Sequence, residues 1–366
     1  MNALALDRRG IWSLLRLDPW LLLLLMLLMG TGLVVLYSAT ENDLGTVWRQ
    51  VVRLGVGVFA MLVLAQLPPN FLRQWAPGIY ALAVGLLIVV ALIGVGEGAQ
   101  RWLDLGVIRF QPSEAMKLAL PLMVSAHLAR RPLPPSVPDL ALCLALIAVP
   151  VALIQSQPDL GTSILVGLSG LCILFLAGLG WRIILGLGAL ALAALPVLWW
   201  VMHDYQRNRV LTFLDPERDP LGAGWNIIQS KIAVGSGGLG GKGWTQGSQS
   251  HLEFLPEPHT DFIFAVLAEE FGFIGVLGVL SLYGLIILRG FYLASRCRDS
   301  FGRLLAGAMM FMFFVYLLVN VGMVSGLLPV VGVPLPLVSY GGTSAATLLA
   351  GLGLLMGLHS RRRFMG

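Results

Sequence analysis

The stretch HLEFLPEPHTDFIFAVLAEE, residues His251 to Glu270, marks the change from a polar loop to an apolar helix. Two prolines punctuate the loop, and the apolar run predicts a helix that begins at about Asp261. The carboxylate of Asp261 is then placed where a water-exposed loop enters a membrane. Glu269 and Glu270 follow about two turns later, inside the apolar run. Acids at membrane depth cost roughly 2.5–3.5 kcal/mol on insertion scales, so these carboxylates are candidates for function.

Helix capping is the alternative interpretation of the same residues. Thr260 and Asp261 are both good N-cap residues, and a cap alone is worth about 1 kcal/mol. An aspartate also complements the positive end of the helix dipole. The local pattern therefore leaves capping and chemistry open.

The composition is that of a membrane protein. Hydrophobic residues make up 57% of the 366 residues and charged residues 12%, against a usual charged share of about 25%. Apolar runs of roughly 18–22 residues recur along the chain, as expected of membrane-spanning helices. We therefore predict an all-α polytopic integral membrane protein with a single membrane domain over residues 1–366. The net charge of +5 comes largely from residues that flank the spans, so it does not indicate nucleic-acid binding.

Gly, Pro and polar clusters divide the apolar sequence into ten predicted spans and one long extracytoplasmic loop. The spans are 18–39, 47–66, 75–96, 113–129, 139–155, 159–178, 181–201, 262–289, 302–328 and 341–359, and the loop is 202–260.

The distribution of arginines predicts the orientation. They concentrate at the termini and at one set of span ends, whereas the short loops on the other side carry Arg49, Arg53, Arg101 and Arg109. The positive-inside rule then places both termini in the cytoplasm, in agreement with an even number of spans. The long loop and the start of every even-numbered span lie outside.

Several charged residues share this outer face. Glu114 and Lys117 are three residues apart at the start of the fourth span, so their side chains lie on one helix face. They form either an ion pair that lets Lys117 exist in lipid or part of a polar cavity. Asp159, at the start of the sixth span, is an N-cap or a cavity residue. Arg207 and Arg209 are interfacial anchors or neighbours of the same cavity.

The outer loop contains GSGGLGGKGW, residues 235–244, after an amphipathic segment that predicts a helix on the membrane surface. A literal GxGxxG is present, but no βαβ context surrounds it, so a dinucleotide site is rejected. Lys242 and the backbone amides could approach an anion. For most of these glycines we predict simple flexibility.

A second distinctive stretch is NVGMVSGLLPVVGVPLPLVSYGGTS, residues Asn320 to Ser344. Its prolines preclude a continuous helix. Non-helical backbone at membrane depth survives only where it is buried in protein or lines a cavity. The simpler alternative is a tight loop with Thr343 or Ser344 as the cap of the next helix.

Together, the run that ends in SYGGTS and the segment GKGWTQGSQSHLEFLPEPHTDFIFAVLAEEFGFIG, residues 241–275, resemble the SEDS family of bacterial cell-wall polymerases. The second segment resembles the RodA branch more than the FtsW branch. The resemblance covers essentially all ten spans. It implies a peptidoglycan glycosyltransferase (a lipid II polymerase) of cell elongation in the cytoplasmic, or inner, membrane. It also implies a class B penicillin-binding protein as transpeptidase partner, other proteins of the elongation complex, and membrane lipids around the spans.

The resemblance also assigns residues. Asp261 matches the family's essential acid, and Glu114, Lys117 and Asp159 match polar residues of its central cavity. Extending a glycan requires a base for the attacking sugar hydroxyl, which fits Asp261. Cations that could stabilise the leaving pyrophosphate are Lys117, Arg207, Arg209 and Lys242. Supporting candidates near the two motifs are Glu257, His259, Thr260, Ser339 and Tyr340. A divalent cation, Mg or Mn, is implied by the resemblance alone, and the sequence indicates no site for it.

Two other functions compete with a polymerase. A lipid II flippase would also use intramembrane charges and broken helices, although these acids cluster at one face instead of the midplane. A non-catalytic scaffold for a penicillin-binding protein would need no acid at a cavity mouth.

Overall fold

The computed structural model describes residues 15–95, 101–104, 109–202, 204–218, 223–248 and 258–361. Helices dominate these residues, as the long apolar runs predict. Every predicted span overlaps one helix, with identical ends for residues 181–201 and ends that differ by up to about six residues elsewhere. The helices are α1 Pro19–Ala39, α2 Leu44–Gln66, α3 Pro69–Ile93, α4 Pro112–Leu128, α5 Val137–Ser156, α6 Leu160–Leu176, α7 Trp181–Val201, α8 Asp204–Leu214, α9 Ala223–Ser236, α10 Ile263–Ser295, α11 Ser300–Val324 and α12 Thr343–Ser360.

A small antiparallel ribbon lies between α3 and α4, and the all-α prediction did not contain it. Its strands are β1 Leu103–Asp104 and β2 Arg109–Phe110, with Leu103 opposite Phe110. A 3₁₀ turn at Pro216–Arg218 follows α8.

Seven helices in the described part of the chain are long and apolar enough to cross a membrane, namely α1, α2, α3, α5, α10, α11 and α12. Helices α4 and α6 have 17 residues each. At 1.5 Å per residue they span about 26 Å, slightly less than the hydrocarbon core of about 30 Å. The chain is a multi-pass membrane protein. Ten crossings and a single domain over residues 1–366 stay predictions.

Helices α11 and α12 form the centre of the bundle. In their most apolar stretches 67% and 72% of the residues are buried, against 22% for α2 and α3. Helix α11 packs against α4, α6, α10 and α12. Helix α12 approaches α2 closely because Gly353 and Gly357 face backbone: a methyl group on either would lie 2.3 Å from the carbonyl oxygen of Met61 or Ala65. Small residues at such a contact let two membrane helices pack backbone to backbone.

The first and last described helices meet at one end of the bundle. Arg16 and Arg361 both donate to the carbonyl of Gln66, at 2.7 and 2.9 Å. Arg289 on α10 binds Asp18, the N-cap of α1, with an Nη2–Oδ2 distance of 2.6 Å. The described chain therefore begins and ends on the same side, as an even number of spans requires. That this side is the cytoplasm stays a prediction.

Helix α10 is broken at Gly272, whose φ of 62° and ψ of −164° are not helical. The glycine-rich loop after α9 fills the break. Carbonyls 269–270 accept hydrogen bonds from amides 242–243, at 3.0 Å each, and amides 273–274 donate to carbonyls 238–239, at 2.9 and 3.1 Å. The loop thus replaces partners that a continuous helix would have supplied to itself.

The interpretation of the loop glycines as merely flexible is wrong for Gly241. Its φ is +80°, and a Cβ atom there would lie 2.0 Å from the carbonyl oxygen of Glu270. Only glycine fits at this position, because the loop backbone and the α10 backbone approach each other closely. A single sequence does not reveal such a contact.

We predict that Gly241→Ala destabilises the protein by about 2 kcal/mol or more, because it introduces both a backbone clash and an unfavourable φ. Gly240→Ala is the matched control, since a Cβ there meets no atom within 4 Å. Its effect should stay within about 0.5 kcal/mol. Thermal unfolding in detergent measures both variants, and equal melting temperatures would contradict the docking of the loop.

Candidate active site

A cavity of about 250 Å³ lies at the bundle end opposite the termini. Helices α4, α6 and α11, the start of α12 and the proline-rich segment between α11 and α12 form most of its walls, and residues 101–102 complete the lining. Its lining includes the hydroxyls of Thr162, Thr343 and Ser344 and the larger polar side chains of Arg101, Gln111, Glu114, Lys117, Asp159 and Tyr316. The structure therefore brings together Glu114, Lys117 and Asp159, three residues that the sequence assigned to one cavity.

Lys117 and Glu114 are both a buried ion pair and part of the cavity lining. Lys117 is 2% exposed, and its Nζ donates to Oε1 of Glu114 at 2.5 Å and to the hydroxyl of Tyr316. The second oxygen of Glu114, Oε2, is buried and has no hydrogen-bond partner among the described residues. The cavity thus holds a cation and a carboxylate with one oxygen left over for an incoming donor.

Asp159 also satisfies both of its interpretations. Its Oδ1 accepts from the amide of Thr162 at 3.1 Å, as an N-cap of α6 does. Its Oδ2 accepts from the Gln111 amide at 3.2 Å, and both side chains line the cavity. The capping hydrogen bond holds the Asp159 side chain in place, and the carboxylate also forms part of the cavity lining.

Arg101 supplies a second cation that the sequence analysis did not select. Its guanidinium donates to the carbonyls of Gln157 and Pro158, just before α6. This contact holds Arg101 at the cavity wall. The only sequence signal was an arginine in a short loop on the outer face.

Asp261 lies beside the cavity, just before α10. The helix begins at Ile263, two residues after the approximate start predicted at Asp261, and its N-cap position is Phe262, which makes no side-chain capping hydrogen bond. The capping alternative for Thr260 and Asp261 stays a prediction. Gly332 lines the cavity, and a Cβ on it would lie 3.5 Å from Oδ2 of Asp261. The carboxylate is consequently next to the cavity wall.

Asn320 holds the backbone around Asp261 in place, and the sequence analysis did not assign it this role. It is fully buried on α11, and its Nδ2 donates to the carbonyls of Asp261 at 2.9 Å and Val333 at 2.8 Å. One amide thus ties the acid's own residue to the proline-rich segment.

Ser339 and Tyr340 make the same connection farther along. The hydroxyl of Ser339 donates to the carbonyl of Thr260 at 2.6 Å, and the Tyr340 amide donates to the carbonyl of His259 at 2.9 Å. The supporting candidates His259, Thr260, Ser339 and Tyr340 therefore lie together. Glu257 lies outside the described residues. The segment is non-helical from α11 to α12, as its prolines predicted.

The alternative in which Thr343 or Ser344 caps the last helix is wrong, because α12 begins at Thr343 and its N-cap position is Gly342, which has no side chain. Gln50 on α2, which the sequence analysis did not select, holds the backbone just before α12 in place. It donates to the carbonyl of Ser339 and accepts from the amide of Gly341, both at 3.2 Å. Arg53, one turn later, lies over the ring of Tyr340 at 4.3 Å.

Three predicted cations are not among the residues that line this cavity in the described structure. Arg207 donates to the carbonyls of Trp199 and Trp200, at 2.8 and 2.6 Å, near the end of α7. Arg209 lies on the same helix, α8. Lys242 donates to Glu269 at 2.6 Å.

The two glutamates of α10 bind different neighbours, the docked loop and α1. Glu269 is fully buried and accepts from Lys242 and from Ser248. Glu270 is 1% exposed and accepts from the hydroxyl of Ser38 on α1. Both side chains therefore hold helices and loop together near the break at Gly272.

Among the described residues, protein ligands alone do not form a metal site. No three His, Cys, Asp or Glu side chains are grouped to hold a metal ion in the part of the chain that the structure describes. Lys117 engages Glu114, and Asp159 already accepts two hydrogen bonds. Magnesium often uses one or two carboxylates together with substrate phosphates, so a cation would need the substrate as a ligand.

We predict that Lys117→Met destabilises the protein by about 3–5 kcal/mol, because it leaves the carboxylate of Glu114 buried without its countercharge. The double variant Glu114→Gln/Lys117→Met removes both charges and should recover most of that loss. Thermal unfolding in detergent compares the two. Equal losses of stability in Lys117→Met and in the double variant would mean that the two charges do not stabilise each other.

Known proteins resemble this chain over nearly its whole length. The FTSW_RODA_SPOVE model, described as cell cycle protein, matches residues 18–364. Peptidoglycan glycosyltransferase MrdB of Escherichia coli K12 is 53% identical over 361 residues, 98% of each chain. Stage V sporulation protein E of Bacillus subtilis is 33% identical, over 95% of this chain and 96% of that protein.

Two solved structures share the fold. A chain from a peptidoglycan synthase complex, studied for its coordination of polymerization and crosslinking, superimposes with a TM-score of 0.83 at 38% identity. It covers 96% of this chain and 99% of that one. The rod shape determining protein RodA of Thermus thermophilus gives a TM-score of 0.72 at 34% identity, over 96% and 98% of the two chains.

Proposed function

Because this chain belongs to the FTSW_RODA_SPOVE family of cell cycle proteins, we propose that it is a peptidoglycan glycosyltransferase. It links the disaccharides of lipid II into glycan strands and releases undecaprenyl pyrophosphate, in support of cell elongation and rod shape. The observation that carries the proposal is the position of Asp261, an acid beside a cavity whose lining holds two cations.

The reaction joins a sugar hydroxyl of one chain to the anomeric carbon of another. As the new C–O bond forms, the bond from that carbon to the lipid pyrophosphate breaks, and the hydroxyl proton leaves. The carboxylate of Asp261 accepts this proton as general base, a role typically worth 10²–10⁴-fold in rate, in order of magnitude. Asn320 and Ser339 keep the backbone of Asp261 and Thr260 fixed, so the base holds its position.

The leaving pyrophosphate gains negative charge as the bond breaks. Lys117 and Arg101 lie in the cavity and can stabilise that charge. Lys117 is paired with Glu114 in this structure, so the pyrophosphate has to compete with Glu114 for it. Glu114 neutralises Lys117 in the absence of substrate. When the pyrophosphate replaces Glu114 as its partner, Lys117 lies where the negative charge develops. Lys242, Arg207 and Arg209 do not line the cavity, and the first is neutralised by Glu269.

We place the reaction at the outer face of the cytoplasmic membrane, with both termini in the cytoplasm and residues 202–260 outside. The clustering of arginines at the termini end supports this orientation. A class B penicillin-binding protein is the proposed transpeptidase partner, within the elongation machinery. The similarity to a chain of a peptidoglycan synthase complex supports that partnership.

We predict that Asp261→Asn reduces glycan polymerisation by at least about 100-fold while the protein folds and binds its partner normally. Purified protein, with and without a cognate class B penicillin-binding protein, is given labelled lipid II, and products are separated on a gel. Asp204→Asn is the control, since that side chain is 95% exposed at the start of α8.

A product ladder that persists in Asp261→Asn would mean that Asp261 is not the general base, while the protein would still be a polymerase. Absence of a ladder from wild type under every partnered condition, together with transfer of lipid II across liposomes, would favour the flippase instead. Polymerisation at the wild-type level by the penicillin-binding protein in the absence of this chain would favour the scaffold function.

We keep a divalent cation, Mg or Mn, in the proposal as a ligand of the substrate pyrophosphate. It would supply positive charge beside the leaving group in addition to Lys117 and Arg101. We predict that EDTA abolishes the wild-type ladder and that added Mg²⁺ or Mn²⁺ restores it. An unchanged ladder in EDTA would mean that the protein's own cations suffice.

A further inference from the structure

A second cavity, of about 490 Å³, opens at the end of the bundle where the termini lie, away from the candidate active site. It lies between the end of α6, the end of α10 and the start of α11. Leu133 and Pro134, from the loop between α4 and α5, close one side. We call it the basal groove.

The basal groove has an apolar wall and a polar mouth. Leu176, Phe291 and Leu304 form much of the wall, and Leu176 is 41% exposed, so the groove is open to the surrounding membrane. Ser300 and Arg303, in the first turn of α11, lie at the mouth. An apolar channel that ends in a cation and a hydroxyl matches a molecule with a hydrocarbon tail and an anionic head.

Arg303 is available for such a head. Its side chain is exposed, and its guanidinium has no hydrogen-bond or ion-pair partner in the described ranges. Arg289, one helix away, is by contrast bound to Asp18.

The charges around the mouth are mostly positive. Asp299 is the acid nearest in sequence, and its Oδ1 already accepts from the amide of Gly302 at 3.1 Å as the cap of α11. Arg296 and Arg298 belong to the same loop but do not line the groove. Residues 296–303 carry three positive charges and one negative charge, which favours an anion near Arg303.

We propose that the basal groove binds one anionic phospholipid from the leaflet on the side of the termini. An acyl chain lies along Leu176, Phe291 and Leu304, and the phosphate lies against Arg303 and the hydroxyl of Ser300. On the proposed orientation this is the cytoplasmic leaflet, whose anionic lipids attract basic residues by about 1 kcal/mol for each charge. The site is separate from the candidate active site and does not depend on its chemistry.

The test measures lipid binding to the full chain in detergent by native mass spectrometry. Phosphatidylglycerol and phosphatidylcholine with identical acyl chains are titrated separately. Wild type should bind the anionic lipid several-fold more tightly. Arg303→Glu should reduce that preference by about fivefold or more, since one favourable charge is replaced by an unfavourable one.

Arg182→Glu is the matched control, because Arg182 is an exposed arginine at the same end of the bundle, on α7, that does not line the groove. It should leave the preference unchanged. Leu176→Trp fills the groove and should weaken binding of both lipids by a similar factor.

Equal effects of Arg303→Glu and Arg182→Glu would overturn the proposal, as would a wild type that does not discriminate between the lipids. Lipid binding that survives Leu176→Trp would mean that the lipid lies elsewhere on the surface. Thermal unfolding checks that each variant is folded, and if Leu176→Trp is not, the two arginine variants decide the question.

Discussion

Backbone that leaves an α-helix at membrane depth has to find its hydrogen-bond partners within the protein, because lipid offers none. This chain leaves its helices twice, at the break in α10 and in the proline-rich segment between α11 and α12. At the break, amides and carbonyls of the glycine-rich loop supply the missing partners. In the segment, the side chains of Asn320, Ser339 and Gln50 supply several of them. The position of Asp261 depends on the second arrangement, since Asn320 binds its carbonyl as well.

The same requirement explains the distribution of charge. A buried carboxylate is tolerated where it is paired or hydrogen-bonded, and the bundle pairs Glu114 with Lys117 and Glu269 with Lys242. The first pair lines the cavity, and the second joins α10 to the docked loop, with the Lys242 side chain 30% exposed. Pairing therefore stabilises both, but only the first pair belongs to the cavity lining next to Asp261. This difference separates a functional charge from a structural one among acids that look alike in the sequence.

Much of the fold was predictable from the sequence, because membrane helices are long and their apolar runs are continuous. The breaks were also predictable in kind: three prolines precluded a helix before α12. The ends of elements were less predictable. Asp261 and Thr260 have the chemistry of a cap, yet α10 begins at Ile263, because the preceding backbone is held by Asn320 and Ser339. Such contacts join residues 59 and 79 positions apart, and no local rule anticipates them.

The sequence by itself determined a polytopic helical membrane protein and the grouping of Glu114, Lys117 and Asp159 at one end of the bundle, because hydropathy and helix periodicity are local properties. Its motifs also identified Asp261 as the acid to examine. Only the tertiary structure decided that Arg101 and Tyr316 join that cavity, that Arg207 and Lys242 do not line it, and that Gly241 is needed for contact instead of flexibility. The physical reason is that partners of charged and backbone groups come from distant helices, and only the packing of those helices determines which groups meet.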